Sequence, residues 1–245
     1  MEANIYCQIV WQPPKSRVPP LPGWFRKPVS IPKALQFPKI IRDVCNGILF
    51  GNVPVKTILF STDLALIENN DADAVLAVYP FPPSAKIMQS LINFSGRPVI
   101  CGVGGGITQG KTAAEMAVSA EGLGASALIV NQPFKNKHIE RIRKLVSIPI
   151  ISSVSVSNFN FRDRINAGVD IFHVTGGNNT VDIINHLTYA APCFPVMATG
   201  GKSMDDLKGV VNAGADAVVL TPPSSGELFR VIMDKYRMGI NYLKK

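Results

Sequence analysis

Two short segments near the C-terminal end carry residue types suited to holding an anion. They are Thr199-Gly200-Gly201-Lys202 and Ser224-Ser225-Gly226. Glycine lets a backbone approach a ligand closely and present successive N–H groups to it. The second segment precedes a helical stretch from about Glu227, and a helix N-terminus favours negative charge through its free N–H groups and dipole. Gly200, Gly201, Ser224, Ser225 and Gly226 are therefore candidate phosphate-binding residues, with Lys202 as a substrate-binding charge. Each has a plainer reading: paired glycines make tight turns, and a lysine at that place can point into solvent.

His173 lies inside the apolar run Asp170-Ile171-Phe172-His173-Val174. Histidine titrates near neutral pH, so it is the first candidate for general acid or base, although a lone histidine in such a run is also a common core residue. Asp63 directly follows another apolar run and is the second catalytic candidate, with helix capping as its alternative. Asn131 and Thr175 occupy comparable places and are candidates for orienting a substrate. Gly104-Gly105-Gly106 and Gly176-Gly177-Asn178-Asn179 add flexible loops, without the G-x-G-x-x-G spacing of a dinucleotide loop. Cys7, Cys45, Cys101 and Cys193 show no ligand spacing with one another or with the three histidines. Reduced thiols and no metal are the expectation.

The elements that must position these residues form a repeat. Pro54, Pro98, Pro149 and Pro195 each open an apolar run of strand length, and proline is tolerated at a strand's first residue. Four further runs alternate with them, beginning at Asp73, Ser126, Asp170 and Asp216, three of them preceded by Gly124, Gly168 or Gly214. Such glycines are expected just past a helix C-terminus. The runs are apolar throughout, as strands buried on both faces should be. Amphipathic stretches lie between them: Ser84–Phe94, Thr112–Leu123, His138–Val146, Phe161–Ala167, Val181–Thr188, Ser203–Ala213 and Gly226–Tyr242. Eight strands alternating with helices predict an α/β fold, a closed (β/α)8 TIM barrel over residues 51–245, with an open doubly wound sheet as the alternative. In such a barrel the site lies at the C-terminal ends of the strands, where every candidate above would fall.

Residues 1–50 read as a proline-rich N-terminal arm followed by a short capping helix between Ala34 and Leu49. Trp11, Trp24 and Phe25 among the prolines are expected to pack on the barrel or on a neighbouring subunit, giving a homo-oligomer through the arm. A proline-rich ligand of an SH3-type domain is the alternative. Of the 245 residues 47% are hydrophobic and 17% charged, enough for a large core and unlike a disordered chain. No apolar run approaches the roughly 20 residues that span a bilayer. The first residues lack the basic-then-apolar layout of a secretory leader, so a cytoplasmic protein is expected. The net charge of +8 suits an anionic ligand. No run of five or more Lys/Arg occurs, so nucleic acid is not the expected partner.

The residues Gly168-Val169-Asp170-Ile171-Phe172-His173, Pro195-Val196-Met197-Ala198-Thr199-Gly200-Gly201 and Gly214-Ala215-Asp216-Ala217-Val218-Val219 resemble the phosphate-binding barrel superfamily. Within it the pattern, over roughly residues 96–225, looks most like the 2-keto-3-deoxy-6-phosphogluconate aldolases. The resemblance implies the same barrel and a phosphate held by the loops after the seventh and eighth strands. It also exposes departures. Where that family carries its Schiff-base lysine this chain has His173, and the family's catalytic glutamate falls near Leu76. Imine-forming aldol chemistry is therefore not expected. The expected function is an enzyme, a lyase, isomerase or transferase, acting on a small phosphorylated metabolite. A non-catalytic regulatory barrel, resembling the glycerol operon antiterminator proteins, is the alternative. An FMN-dependent oxidoreductase is the third reading, and no other cofactor is expected.

Overall fold

The computed structural model describes residues 8–9 and 35–238. Eight parallel strands close into a barrel. They are β1 (Thr57–Phe60), β2 (Ala74–Ala77), β3 (Val99–Gly104), β4 (Ala127–Val130), β5 (Ile150–Val154), β6 (Ile171–Val174), β7 (Val196–Thr199) and β8 (Ala217–Leu220). Closure comes from β8 pairing with β1, Val218 opposite Thr57 and Leu220 opposite Leu59. Each strand is followed by a helix: α1 (Leu64–Glu68), α2 (Ala85–Ser95), α3 (Gly110–Gly122), α4 (Asn136–Arg143), α5 (Phe161–Asn166), α6 (Thr180–Ala190), α7 (Met204–Asn212) and α8 (Ser225–Arg237). The TIM-barrel expectation is thus met. Helix α1 has only five residues and left no amphipathic signature in the sequence.

The proline repeat has a hydrogen-bonding reason. The carbonyls of Pro98, Pro149 and Pro195 accept the amides of Val75, Leu128 and Phe172 in the preceding strands. Proline supplies that acceptor at the strand entry, and its missing donor is not needed there. In the first unit the equivalent acceptor is Lys56, whose carbonyl takes the amide of Val218. The first barrel strand therefore starts two residues later than the repeat suggests. Pro54 instead sits opposite Leu49 in an antiparallel hairpin, Ile48–Phe50 with Val53–Val55. Gly168 and Gly214 have φ of 103° and 102°, as a glycine past a helix C-terminus should.

Three aspartates grip the strand entries. Asp73 accepts from the amides of Lys56 and Thr57 and from the Thr57 hydroxyl at 2.8–3.0 Å. Asp170 accepts from the amide of Ile150 at 2.8 Å, and Asp216 from that of Val196 at 3.0 Å. Each belongs to the start of an even strand and holds the first amide of the odd strand before it. These bonds, with the Arg42 guanidinium, hold the Asp73 carboxyl below its ordinary range despite the opposing pull of burial.

Side chains alternate between two cores. Outward residues such as Leu59, Val99, Leu128, Phe172 and Val218 pack against the helices. Inward residues, among them Ile58, Leu76, Ile100, Ile129, Ile151, Ile171, Met197 and Val219, fill the barrel. Ile48, Phe50 and Val55 of the hairpin join this inner core and stop the N-terminal mouth, since the hairpin leads straight into β1. The short helix Lys39–Val44 lies within the stretch expected to be helical. Gln8–Ile9 pair antiparallel with Leu35–Gln36. The rest of the proline-rich arm, with Trp11, Trp24 and Phe25, lies outside the described residues. Among the described residues no helix is long and apolar enough to cross a membrane.

Replacing Asp73 by Ala strands two backbone donors, a hydroxyl and part of Arg42 at once. Because hydrogen bonds to a charged group contribute about 1.5–3 kcal/mol each and are not additive, we expect a loss of about 2–4 kcal/mol in urea unfolding. Asp170→Ala should cost clearly less, since that side chain is 45% exposed against 22% for Asp73. Equal losses would refute the assignment of the stronger grip to Asp73.

Candidate active site

His173 has the same inward parity as Ile171, two residues earlier on β6. Its neighbours in register are Ser153 on β5 and Met197 on β7. The ring is 5% exposed. Its Nδ1 is 3.5 Å from the Ser153 hydroxyl and its Nε2 is 3.3 Å from the Thr199 hydroxyl. Both contacts are long, so they steer the ring more than they bind it. Burial pushes the His173 pKa down to about 4, so the imidazole is neutral at pH 7, with one nitrogen a donor and the other an acceptor.

Above His173 the C-terminal mouth opens as a cavity of about 310 Å³, walled by Phe60, Leu76, Val78 and Ile129 on its apolar side and by Asn131, Gln132, Ser153, Ser155 and Thr175 on its polar side. A second cavity of about 260 Å³ shares Val78 and Asn131 and extends over Tyr79, Phe81 and the Gly104-Gly105-Gly106 loop. No carboxylate, lysine or arginine lines either one. The glycine loop is there for close approach. A Cβ on Gly104 would lie 2.4 Å from the Phe134 ring, and one on Gly105 would lie 2.7 Å from Asn131 Nδ2.

Gln132 clasps the β4 and β5 loops together. Its Oε1 accepts from both the amide and the hydroxyl of Ser155, at 2.7 and 2.8 Å. Thr175 is held by its amide, which donates to the Val154 carbonyl at 2.8 Å. The structure thus brings His173, Asn131 and Thr175 to one mouth and adds Ser153, Gln132, Ser155 and Thr199.

The loops after β7 and β8 are arranged differently. The Gly200 amide belongs to the barrel ladder, donating to Val219. The amides of Lys202 and Ser203 both donate to Asp206 Oδ2, at 2.9 and 3.0 Å. A Cβ on Gly201, whose φ is 82°, would lie 2.3 Å from the Asp206 Cβ. At the start of α8, the Ser224 amide and hydroxyl both donate to Glu227 Oε2 at 2.8 Å. The Ser225 hydroxyl donates to Asp63 Oδ2 at 2.5 Å. Asp63 in turn caps α1 by accepting from the amides of Ala65 and Leu66. The Ser225 hydroxyl and those amides hold its carboxyl below the usual range. As folded, an anion at Gly200, Gly201, Ser224, Ser225 or Gly226 would meet carboxylates already holding the neighbouring donors. The side chain of Lys202 makes no ion pair among the described residues.

Arg164 on α5 is the residue that sequence reasoning missed. It is 2% exposed and reaches the carbonyls of Gln132 and Phe134, the loop that walls the mouth. Its position three residues after Phe161, on the same buried helix face, was the available signal.

No family model and no curated protein matches the sequence. Solved structures do match the fold. A phosphonopyruvate hydrolase, in complex with oxalate and magnesium, superposes with a TM-score of 0.59 at 12% identity, covering 82% of this chain and 86% of the other. A 2,3-dimethylmalate lyase, described as a PEP mutase/isocitrate lyase superfamily member, gives 0.56 at 14% identity over 84% and 88%. The phosphoenolpyruvate phosphomutase of Streptomyces platensis subsp. rosaceus gives 0.55 at 14% over 81% and 84%. At these identities the likeness is one of fold. The aldolase resemblance rests on the sequence pattern alone.

A histidine whose folded pKa is depressed contributes stability that is complete above its unfolded pKa of about 6.5 and is lost as the pH falls toward 4. The shift corresponds to about 3 kcal/mol. We expect the stability of the wild type relative to His173→Gln to fall by that order between pH 7 and pH 4 in urea unfolding. A difference independent of pH would show that the ring is not held neutral.

Proposed function

We propose that this chain is an enzyme that binds a small carboxylate or phosphorylated metabolite in the C-terminal mouth of the barrel, directly over His173. The observation that carries this reading is the setting of His173. It is a buried neutral imidazole at the floor of a cavity, flanked by Ser153 and Thr199 hydroxyls, with side-chain amides on the polar wall above it. With a pKa near 4 it is a poor general base at neutral pH. A neutral ring is suited instead to donating a hydrogen bond to a substrate oxygen that gains negative charge, in a site shielded from water. Enolate-forming lyase or isomerase chemistry has that requirement. The solved structures sharing the fold support the substrate class, since they are named for enzymes of phosphonopyruvate, 2,3-dimethylmalate and phosphoenolpyruvate.

One of those structures holds magnesium, which takes oxygen ligands and is usually bound through carboxylates. The cavity lining here has none, and among the described residues no cluster of three or more His, Cys, Asp or Glu could hold a metal ion. These residues do not fit that ion, and no step is assigned to it.

The missing carboxylate and lysine also favour a second reading, a barrel that binds such a ligand without transforming it. The two readings separate by experiment. Purified protein is incubated with a panel of small oxo and hydroxy acids and their phosphorylated counterparts, and followed by proton NMR. Turnover of one of them, reduced at least about 100-fold in His173→Gln with the melting temperature little changed, is the expected result. A ligand that raises the melting temperature but stays intact would favour the binding protein. No stabilisation by any of them, or by oxalate or phosphate, would overturn both readings.

A further inference from the structure

We propose that Arg164 is a positioning residue whose unbalanced charge selects anionic ligands and draws their negative group to the β4–β5 side of the mouth. This rests on the reading of the mouth as a ligand site and places the anion within it.

Arg164 is 2% exposed and makes no ion pair among the described residues. One terminal nitrogen donates to the Phe134 carbonyl and the other to that of Gln132. The guanidinium carbon stands 5.1 Å from the centre of the Phe159 ring. These are dipoles and an aromatic face, with no full negative charge among them. The remaining nitrogen, Nε, is buried with no hydrogen-bond partner. A buried charge is costly unless paired, and native structures rarely leave one with neither counter-charge nor complete hydrogen bonding. Burial lowers the arginine pKa, and no nearby charge offsets the effect; the group still stays protonated at neutral pH.

The segment it holds is the wall of the cavity. Gln132 and Pro133 line the mouth beside Asn131 and Ser155. Because Gln132 Oε1 is spent on Ser155, its amide nitrogen is left as a donor on that wall. Asn131 supplies a second side-chain amide. No cation lines the cavity, and the uncompensated guanidinium stands directly behind this wall, bonded to the carbonyls of Gln132 and Phe134. On the opposite rim, Asp206, Glu227 and Asp63 fill the backbone and hydroxyl donors with negative charge. Donors that an anion would need at the β7–β8 loops are thus taken up by the chain's own carboxylates, whereas the β4–β5 side offers the Asn131 and Gln132 side-chain amides with the guanidinium behind them.

Oxalate and its neutral analogue oxamide are the probes, nearly equal in shape and different in charge, with affinities measured by calorimetry. The wild type should prefer oxalate by tenfold or more. Arg164→Met should lose most of that preference, while Arg164→Lys, which keeps the charge, should retain it. An arginine that merely braced the loop would weaken both probes alike; an unchanged oxalate-to-oxamide ratio in Arg164→Met overturns the proposal and leaves the mouth standing as a ligand site. A crystal of the wild type soaked with oxalate tests the placement without any variant. Oxalate beside Asn131 and Gln132 supports it, and oxalate against Gly200 and Ser224 overturns it. A wild type that binds neither oxalate nor inorganic phosphate overturns the mouth as a ligand site and this proposal with it.

Discussion

Everything at the mouth depends on strand register. In a closed parallel barrel a slip of one residue would turn every inward side chain outward. The grips of Asp73, Asp170 and Asp216 on the entering amides of β1, β5 and β7 oppose that slip, each at a different pair of strands. They act at the N-terminal rim, yet their effect is felt at the other end. With β5, β6 and β7 held in step, Ser153, His173 and Thr199 all face inward and come within reach of one another. A shift of one strand would replace His173 by Phe172 or Val174 in the interior and leave no polar floor.

Much of this frame was legible in the sequence, and the reasons for success and failure are physical. Eight apolar runs at an even repeat define a barrel because strands buried on both faces have little freedom in composition. The first strand was misplaced by two residues because Pro54 opens an apolar run as Pro98 does, while only pairing reveals that Lys56 supplies the ladder carbonyl. Candidates from different strands, Asn131, His173 and Thr175, meet at the mouth because parity and strand ends can be read along the chain. The loops after β7 and β8 carried a further visible signal. Ser203-Met204-Asp205-Asp206 and Ser224-Ser225-Gly226-Glu227 are both capping boxes, a pattern in which the chain's own acid fills the helix N-terminus. Arg164 was hidden because a charged residue in an amphipathic stretch is ordinarily exposed.

The mouth is electrically unusual for its composition. A chain with net charge +8 places no cation in either cavity, keeps its one inward histidine neutral and puts carboxylates on the rim nearest β7 and β8. Behind the Gln132 wall lies the Arg164 guanidinium, bonded to the carbonyls of Gln132 and Phe134. Such an arrangement keeps the floor apolar enough to hold the imidazole neutral while the surroundings are not neutral at all. The long contacts of His173 to two hydroxyls belong with this, since they leave the ring hydrogen-bonding capacity that stronger partners would consume.

The hairpin that stops the N-terminal mouth has a consequence of its own. With Ile48, Phe50 and Val55 packed into the inner core at the N-terminal end, the way to His173 among the described residues is the C-terminal mouth. Water, ligand and any proton bound for His173 must pass the same opening, in sequence. Whatever occupies the mouth therefore also corks it, and the imidazole then exchanges its hydrogen only as fast as that occupant departs. Residence time at the mouth and proton traffic at the floor become one clock.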